Sequence, residues 1–132
     1  MKFVDSSFWI ALTLKRDAHH DEARSLWQAG TGALITTNHV VGETWTFLRR
    51  RAGHPLASLF RSRTWGSRHL TVVHADEELE AEAWRWLLRH DERAYSFVDA
   101  TSFALMRRRR LREALAFDGD FSAAGFIEVR LR

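Results

Sequence analysis

The sequence predicts an α/β fold, a three-layer α/β/α sandwich around a central, mostly parallel sheet of four or five strands. Short apolar segments alternate with longer segments of helical character along the chain. That order favours β-α-β units, whose right-handed crossovers place successive strands in parallel. The 132 residues suit one domain, and a hydrophobic content of 45% is enough to build one core. We therefore expect residues 1–132 to form a single domain.

Five short apolar segments are predicted to be strands. The first, "KFV", is β-prone and stops at Asp5, and the second, "ALITT", has the composition of a buried strand. The last, "FIEVRL", is expected to be a short edge strand. The predicted strands are residues 2–4, 33–37, 70–74, 114–118 and 126–131.

Six longer segments have the periodicity, caps and breakers of helices. Asn38 is predicted to cap the third helix and Asp76 the fifth, because both residue types accept bonds from orphan N–H groups. Gly53 ends the third helix, and Pro55 marks a turn between two helices. The predicted helices are residues 8–14, 19–30, 39–53, 56–66, 76–91 and 96–111.

Composition excludes several classes of site. The chain has no cysteine, so disulfides, a thiol nucleophile and thiolate metal sites are excluded. Asp5 interrupts the first apolar stretch, so that stretch is not a signal peptide, and no apolar run is long enough to cross a bilayer. We expect a soluble cytoplasmic protein with no membrane partner.

Arginine dominates the basic residues. Only Lys2 and Lys15 are lysines among 20 basic residues, and arginines form runs at 49–51 and 107–110. Arginine binds phosphate through two parallel hydrogen bonds and stacks on bases, which favours a nucleic-acid partner. Such runs are about equally well explained as solvated helix ends that complement the helix dipole.

Four acidic residues have no obvious partner. Asp5 ends the first predicted strand and Asp118 ends the fourth, so a parallel sheet would bring both to its carboxyl edge. Glu43 and Asp99 lie early in predicted helices, and neither has a lysine or arginine three or four residues away. Each acid also has a local explanation: Asp5, Asp99 and Asp118 could be helix caps, and Glu43 a half-exposed side chain.

Taken together, the four acids favour a metal site. Glu43 is placed beside the apolar stripe formed by Val40 and Phe47, where it would lose part of its hydration. Carboxylates in close contact repel one another unless a cation compensates them, and an all-oxygen cluster suits Mg²⁺ or Mn²⁺. Such a cluster can activate water against a phosphodiester bond.

Four segments, in this order, resemble the motifs of PIN-domain ribonucleases, and in particular the small VapC-like toxins of type II toxin–antitoxin pairs. "FVDSSFWIAL" is similar to the first motif and "TTNHVVGETWTFLRRR" to the second. "SFVDATSFALMRR" is similar to the third and "ALAFDGDF" to the fourth. The resemblance covers almost the whole chain.

The resemblance implies a set of site residues and partners. It assigns metal-binding and catalytic acids to Asp5, Glu43, Asp99 and Asp118, with Asp120 as a possible alternative for the fourth, and supporting roles to Ser7 and Ser96. It also implies Mg²⁺- or Mn²⁺-dependent RNA cleavage, homodimerisation and inhibition by a small antitoxin. Weaker support for protein contacts comes from possible exposed aromatics at Trp45, Trp65, Trp84 and Trp86, although the core is the better expectation for any one of them.

Within the fourth motif, Asp118 is expected to face the metal and Asp120 to cap a short helical turn in "FSAAGF". The alternatives are a non-catalytic RNA-binding module and another phosphotransfer or phosphatase domain built on an acid cluster. A receiver-type domain needs a lysine near its last strands, and the only lysines lie near the start of the chain.

Overall fold

Twelve elements make up the computed structural model, which describes residues 1–131. The strands are β1 Lys2–Val4, β2 Leu34–Thr37, β3 Leu70–Val73, β4 Glu113–Leu115 and β5 Ile127–Glu128. The helices are α1 Ser6–Thr13, α2 His20–Gln28, α3 Asn38–Ala52, α4 His54–Trp65, α5 Glu77–Arg89, α6 Phe97–Arg108 and α7 Asp120–Ala123. The predicted alternation of strands and helices is confirmed.

All five strands form one parallel sheet in the order β3-β2-β1-β4-β5. The chain first builds outward from β1 through β2 to β3, and then returns to place β4 on the other side of β1. The order therefore reverses between β1 and β4, and the carboxyl ends of those two strands flank the crevice where open α/β sheets bind ligands. The predicted α/β class and edge position of β5 are confirmed.

Two helices bring their N-termini to this edge of the sheet. Helix α1 follows β1 after a single residue, Asp5, and α6 packs its first turn nearby. Eight consecutive residues of α6, from Asp99 to Met106, are buried, so this helix forms the centre of the fold rather than a surface layer. The ring of Phe103 lies 4.9 Å from that of Phe121, at right angles, and joins α6 to α7.

Two local expectations are wrong. Thr37, rather than Asn38, caps α3, because its hydroxyl accepts the Val40 N–H, whereas the Asn38 amide oxygen accepts from Ala75 beyond β3. Strand β4 ends at Leu115 instead of at residue 118, since the Phe117 N–H leaves the ladder for a side-chain oxygen. Asp118 therefore lies in the loop that follows β4 and not at the strand end.

The arginine runs lie at helix ends. Arg49, Arg50 and Arg51 occupy the last turn of α3, and Arg107 and Arg108 the last turn of α6. Their charges therefore complement the negative ends of the helix dipoles. Within residues 1–131, no helix is both long and apolar enough to cross a membrane.

Candidate active site

Three of the four predicted acids meet at the carboxyl edge of the sheet. Asp5, Asp99 and Asp118 each offer one carboxylate oxygen, and these oxygens lie within 4.8 Å of one another. Asp5 comes from the β1–α1 junction, Asp99 from the first turn of α6, and Asp118 from the loop between β4 and α7. We call these three residues the carboxylate cluster. It lies at the point where the strand order reverses.

Asp5 is fixed by its position between β1 and α1. Its Oδ2 accepts hydrogen bonds from the Ser7 backbone N–H at 3.1 Å and from the Ser7 hydroxyl at 2.7 Å. The same hydroxyl accepts the Phe117 N–H at 3.0 Å. Ser7 therefore ties the first acid to the segment that carries the third. Asp5 is both the N-cap of α1 and a member of the cluster, with an exposure of only 1%.

Asp99 likewise combines a capping role with membership of the cluster. Ser96 caps α6 by accepting the Asp99 N–H at 2.9 Å, and Asp99 Oδ2 accepts the Ser96 N–H at 3.0 Å. This reciprocal capping box fixes the rotamer of a carboxylate that is 8% exposed. The two interpretations of Asp99 are compatible, because a carboxylate has several acceptor positions on its two oxygens.

The loop after β4 places Asp118 in the cluster, and it pairs Asp120 with Arg93. Asp118 Oδ1 accepts the Asp120 N–H at 3.1 Å, across a Gly119 whose φ of +84° favours glycine. The Asp120 carboxylate accepts from Arg93 Nε at 3.0 Å and Nη2 at 2.9 Å. Asp120 is the first residue of α7, whose N-cap Gly119 supplies no side-chain bond, so the predicted capping role of Asp120 is wrong.

A fifth acid organises this loop and was missed. The Glu128 side chain is 3% exposed, and it accepts bonds from Ser122 N–H at 2.9 Å, Gly119 N–H at 3.3 Å and Arg130 Nη2 at 2.9 Å. The position of Glu128 inside the apolar run "FIEV" is the feature of the sequence that indicates a buried acid. Arg93 was missed as well, since nothing in its local sequence indicates a partner 27 residues away.

Glu43 lies outside the carboxylate cluster. Its side chain is exposed, so the expectation that it would be partly dehydrated beside the apolar stripe is wrong. It lines a surface groove of about 700 Å³ that runs along α3 and also includes Val98, the neighbour of Asp99. None of the three clustered acids lines this groove.

Burial and neighbouring negative charges raise the pKa values of all three clustered acids. Burial raises the pKa of Asp5 well above its ordinary value, and the charge of Asp118 raises it further, against the two bonds from Ser7. Burial raises the pKa of Asp99 to about 6, and the charges of Asp120 and Asp118 add to the effect. Burial and the charge of Asp120 also raise the pKa of Asp118. Ionisation of all three acids at neutral pH is therefore costly without a compensating cation.

The donor set fits a hard divalent cation. All three donors are carboxylates, and neither histidine nor sulfur contributes to the group. Mg²⁺ and Mn²⁺ favour such oxygen ligands, and a divalent charge would offset the repulsion that raises the three pKa values. The N-termini of α1 and α6 both face the cluster, and their partial positive charges offset part of the same repulsion.

Comparison with known proteins agrees with this geometry. The PIN-domain family matches residues 2–127. The 23S rRNA-specific endonuclease VapC20 of Mycobacterium tuberculosis is 55% identical over 130 residues, which cover 98% of each chain. A VapC ribonuclease of Archaeoglobus fulgidus is 25% identical over 124 residues, covering 90% of this chain and 78% of that protein. The crystal structure of Mycobacterium tuberculosis VapC20, described as a sarcin–ricin loop cleaving toxin, superposes with a TM-score of 0.95 at 53% identity, covering 99% of this chain and all of that one.

Proposed function

Because the chain belongs to the PIN-domain family, we propose that its carboxylate cluster binds a divalent metal ion and cleaves a phosphodiester bond of ribosomal RNA. The chain is an endoribonuclease of the VapC toxin type. The observation that carries the metal-dependent mechanism is the convergence of Asp5, Asp99 and Asp118 at the reversal point of a parallel sheet. We propose that residues 1–132 belong to one PIN-like domain.

The sarcin–ricin loop of 23S rRNA is the substrate that we propose. A relative with 55% identity across 98% of both chains is named for 23S rRNA, and the superposed structure is described as cleaving that loop. An RNA hairpin loop also suits this site at the carboxyl ends of the strands, because unpaired nucleotides can be spread out for recognition.

We assign Mg²⁺ or Mn²⁺ to the cluster, held by Asp5, Asp99 and Asp118. When bound, such an ion stabilises the charge that develops on the phosphate and lowers the pKa of a coordinated water. Ser7 orients the Asp5 carboxylate and Ser96 orients Asp99, so both serines are positioning residues. Each acid then presents an oxygen in a fixed direction, without rearrangement when the ion binds.

Glu43 is assigned a role at the edge of the site. It is exposed on the groove beside Val98, so we propose that it acts on the bound ion through a water molecule or on the RNA directly. Either role depends on its negative charge and not on a contribution to folding.

A small antitoxin and a second copy of the chain are the proposed protein partners, in the cytoplasm where ribosomes lie. A separate apolar groove of about 630 Å³ between α1, α2 and α4 could receive an antitoxin segment. Its lining includes Trp27 and Leu59, both more than 40% exposed, together with the basic residues Arg24 and Arg63. An amphipathic helix with acidic flanks complements that surface.

Cleavage of a synthetic sarcin–ricin hairpin by the purified protein tests the function. We expect one specific cut in Mg²⁺ or Mn²⁺, no cut in EDTA, and restoration by added metal. Asp5→Asn should abolish the cut, because it keeps the capping acceptor for Ser7 and removes a charge from the cluster.

Two controls separate this mechanism from contamination and from simple binding. A hairpin with the same stem and a scrambled loop should remain intact. Exposed Asp76 caps α5 through a bond to Leu79 N–H and lies outside the cluster, so Asp76→Asn should cleave like the unmodified protein. Cleavage that survives EDTA would contradict the metal assignment, and binding without any cut would favour a non-catalytic module.

A further inference from the structure

The three acids of the carboxylate cluster are held in different ways. Asp5 and Asp99 are buried at the N-termini of α1 and α6, where hydrogen bonds with neighbouring serines fix both carboxylates. Asp118 is exposed and lies in a loop, next to a Gly119 whose φ is +84°. The position of the third acid therefore depends on the groups that hold this loop.

Glu128 on β5 holds the loop on the C-terminal side of Asp118. Strand β5 pairs with β4, and Glu128 is aligned with Ala114 in that ladder, so its backbone is fixed in the sheet. The Glu128 side chain is 3% exposed. Its Oε1 accepts the Gly119 N–H at 3.3 Å, and its Oε2 accepts the Ser122 N–H at 2.9 Å. One carboxylate therefore binds the residue directly after Asp118 and the start of α7.

Arg130 holds the loop on the N-terminal side of the same acid. Its Nη1 donates to the carbonyl oxygen of Ala116 at 2.7 Å, and its Nη2 donates to Glu128 Oε1 at 2.9 Å. The guanidinium carbon also lies 4.8 Å from the centre of the Phe117 ring. We call Glu128 and Arg130 the loop clamp.

The loop clamp contacts the chain on both sides of Asp118. Arg130 contacts residues 116 and 117, and Glu128 contacts residues 119 and 122. Three of these contacts are hydrogen bonds to backbone groups, so the clamp fixes the path of the main chain from which the Asp118 side chain extends. A ligand that is fixed before the ion arrives does not have to be ordered when the ion binds.

We propose that the loop clamp positions Asp118 for metal binding, and that Arg130 keeps the clamp assembled. This inference rests on the proposed function and adds the residues that keep the third metal ligand in place. Without Arg130, the loop loses its bond at Ala116, and the nearly buried Glu128 carboxylate loses its cation. Glu128 and Arg130 are positioning residues, because they act through the backbone of residues 116–122.

The direction of the effect separates positioning from electrostatics. Arg130 places a positive charge on Phe117, the neighbour of Asp118, so this charge by itself opposes the binding of a cation. Removal of the charge alone should therefore tighten metal binding, whereas loss of the clamp should weaken it. For Arg130→Met we expect the Kd for Mn²⁺ to rise roughly tenfold, the lower end of the loss seen when a group that supports a metal ligand is removed.

Electron paramagnetic resonance of free Mn²⁺ measures this affinity in the whole protein without RNA or cleavage. Arg130→Lys is the second variant, because it keeps the charge but lacks the planar fork that reaches both Ala116 and Glu128. It should fold normally and show a smaller rise in Kd. Thermal melting in EDTA shows which variants are folded.

Arg112→Met is the matched control. Arg112 is exposed, precedes β4 at the end of the strand opposite to the cluster, and makes no side-chain ion pair within residues 1–131. This variant loses the same charge and should bind Mn²⁺ like the unmodified protein. An equal rise in Kd for Arg112→Met and Arg130→Met would show a general effect of lost arginine and would overturn the assignment.

The Mn²⁺ measurement also distinguishes failure of the clamp from failure of the function. If the unmodified protein binds Mn²⁺ and folded Arg130→Met binds it equally or more tightly, the clamp fails and the ribonuclease assignment stands. If Arg130→Met does not fold, an unchanged Kd in Arg130→Lys has the same meaning. If the unmodified protein binds no Mn²⁺, both fail. A higher KM for the hairpin at an unchanged Kd for Mn²⁺ would make Arg130 an RNA contact, and the inference would be wrong.

Discussion

Replacing Asp99 with asparagine should make the metal-free protein more stable while abolishing cleavage. Asp99 is 8% exposed, and the charges of Asp118 and Asp120 face it. Asparagine keeps the size of the side chain and an oxygen that can accept the Ser96 N–H, so the capping box survives in neutral form. The substitution therefore removes a costly charge and little else.

The structure sets the size of this effect. Burial and the neighbouring charges raise the pKa of Asp99 from 3.8 to about 6, and this difference corresponds to about 3 kcal/mol at pH 7. Loss of a negative charge in the first turn of α6 acts in the other direction by about 0.3–1 kcal/mol. The repulsion between Asp118 and Asp5 remains in the variant, so only part of the strain in the cluster is removed. We expect a net gain of about 1–2 kcal/mol in the free energy of unfolding.

The same argument predicts how stability depends on pH. A carboxyl group whose folded pKa is raised binds its proton more tightly in the native state than in the unfolded state. Between pH 3.8 and about 6, the folded protein therefore carries the extra proton. The destabilisation by ionised Asp99 is complete above this window and vanishes below it. In EDTA, the unmodified protein should gain stability as the pH falls from 7.5 to 5.5, and Asp99→Asn should gain less.

Urea unfolding in EDTA, followed by tryptophan fluorescence, measures both effects. Asp76→Asn is the matched control, because Asp76 caps α5 in the same way but lies exposed and outside the cluster. It should lose a few tenths of a kcal/mol or nothing. Added Mg²⁺ should stabilise the unmodified protein and Asp76→Asn, and should do little for Asp99→Asn. A loss of more than about 1 kcal/mol in Asp99→Asn, as expected for a purely structural cap, would refute the reasoning.

Three further predictions follow from the site and its surroundings. Asp118→Asn should abolish cleavage without loss of stability, whereas Asp120→Asn should keep most of the activity and lose a little stability with its exposed Arg93 ion pair; the reverse result in cleavage and melting assays would exchange the two roles. Glu43→Gln should reduce cleavage without changing the free energy of unfolding, because its side chain is exposed; a clear drop in melting temperature would instead indicate a structural role. Leu59→Asp should leave RNA cleavage intact but weaken inhibition by the product of the gene immediately upstream, since it places a charge in the apolar groove; unchanged inhibition in a titration would move the antitoxin to another surface.

The sequence by itself determined the α/β class and the order of the elements, and the four acids that it named include the three that cluster. These features are local or follow from chain order. Periodicity indicates each strand and helix, and Asp5 directly follows its strand. Ser96 and Asp99 form a capping box that a stretch of four residues is enough to predict. Parallel strands then bring their carboxyl ends to one edge, so acids far apart in the chain were expected to meet there.

Only the tertiary structure decided contacts between residues that are distant in sequence. The Ser7 hydroxyl accepts a hydrogen bond from the Phe117 N–H, 110 residues away. This bond ends β4 early and leaves Asp118 in a loop. The Arg93 side chain pairs with the Asp120 carboxylate, and the Asp118 carboxylate lies in the cluster. Asn38 accepts a hydrogen bond from the Ala75 N–H instead of capping its own helix, because this partly buried N–H needs an acceptor.

The exposure of Glu43 depended on packing in the same way. Helical periodicity gives the relative direction of side chains on α3, but the angle at which the helix meets its neighbours sets which of them is buried. The ring of Trp84 on α5 stacks on the ring of Phe97 on α6. No local sequence pattern predicts the angle at which these two helices cross. Side-chain partners over such distances are set by the packing of whole elements, and that packing is a property of the assembled chain.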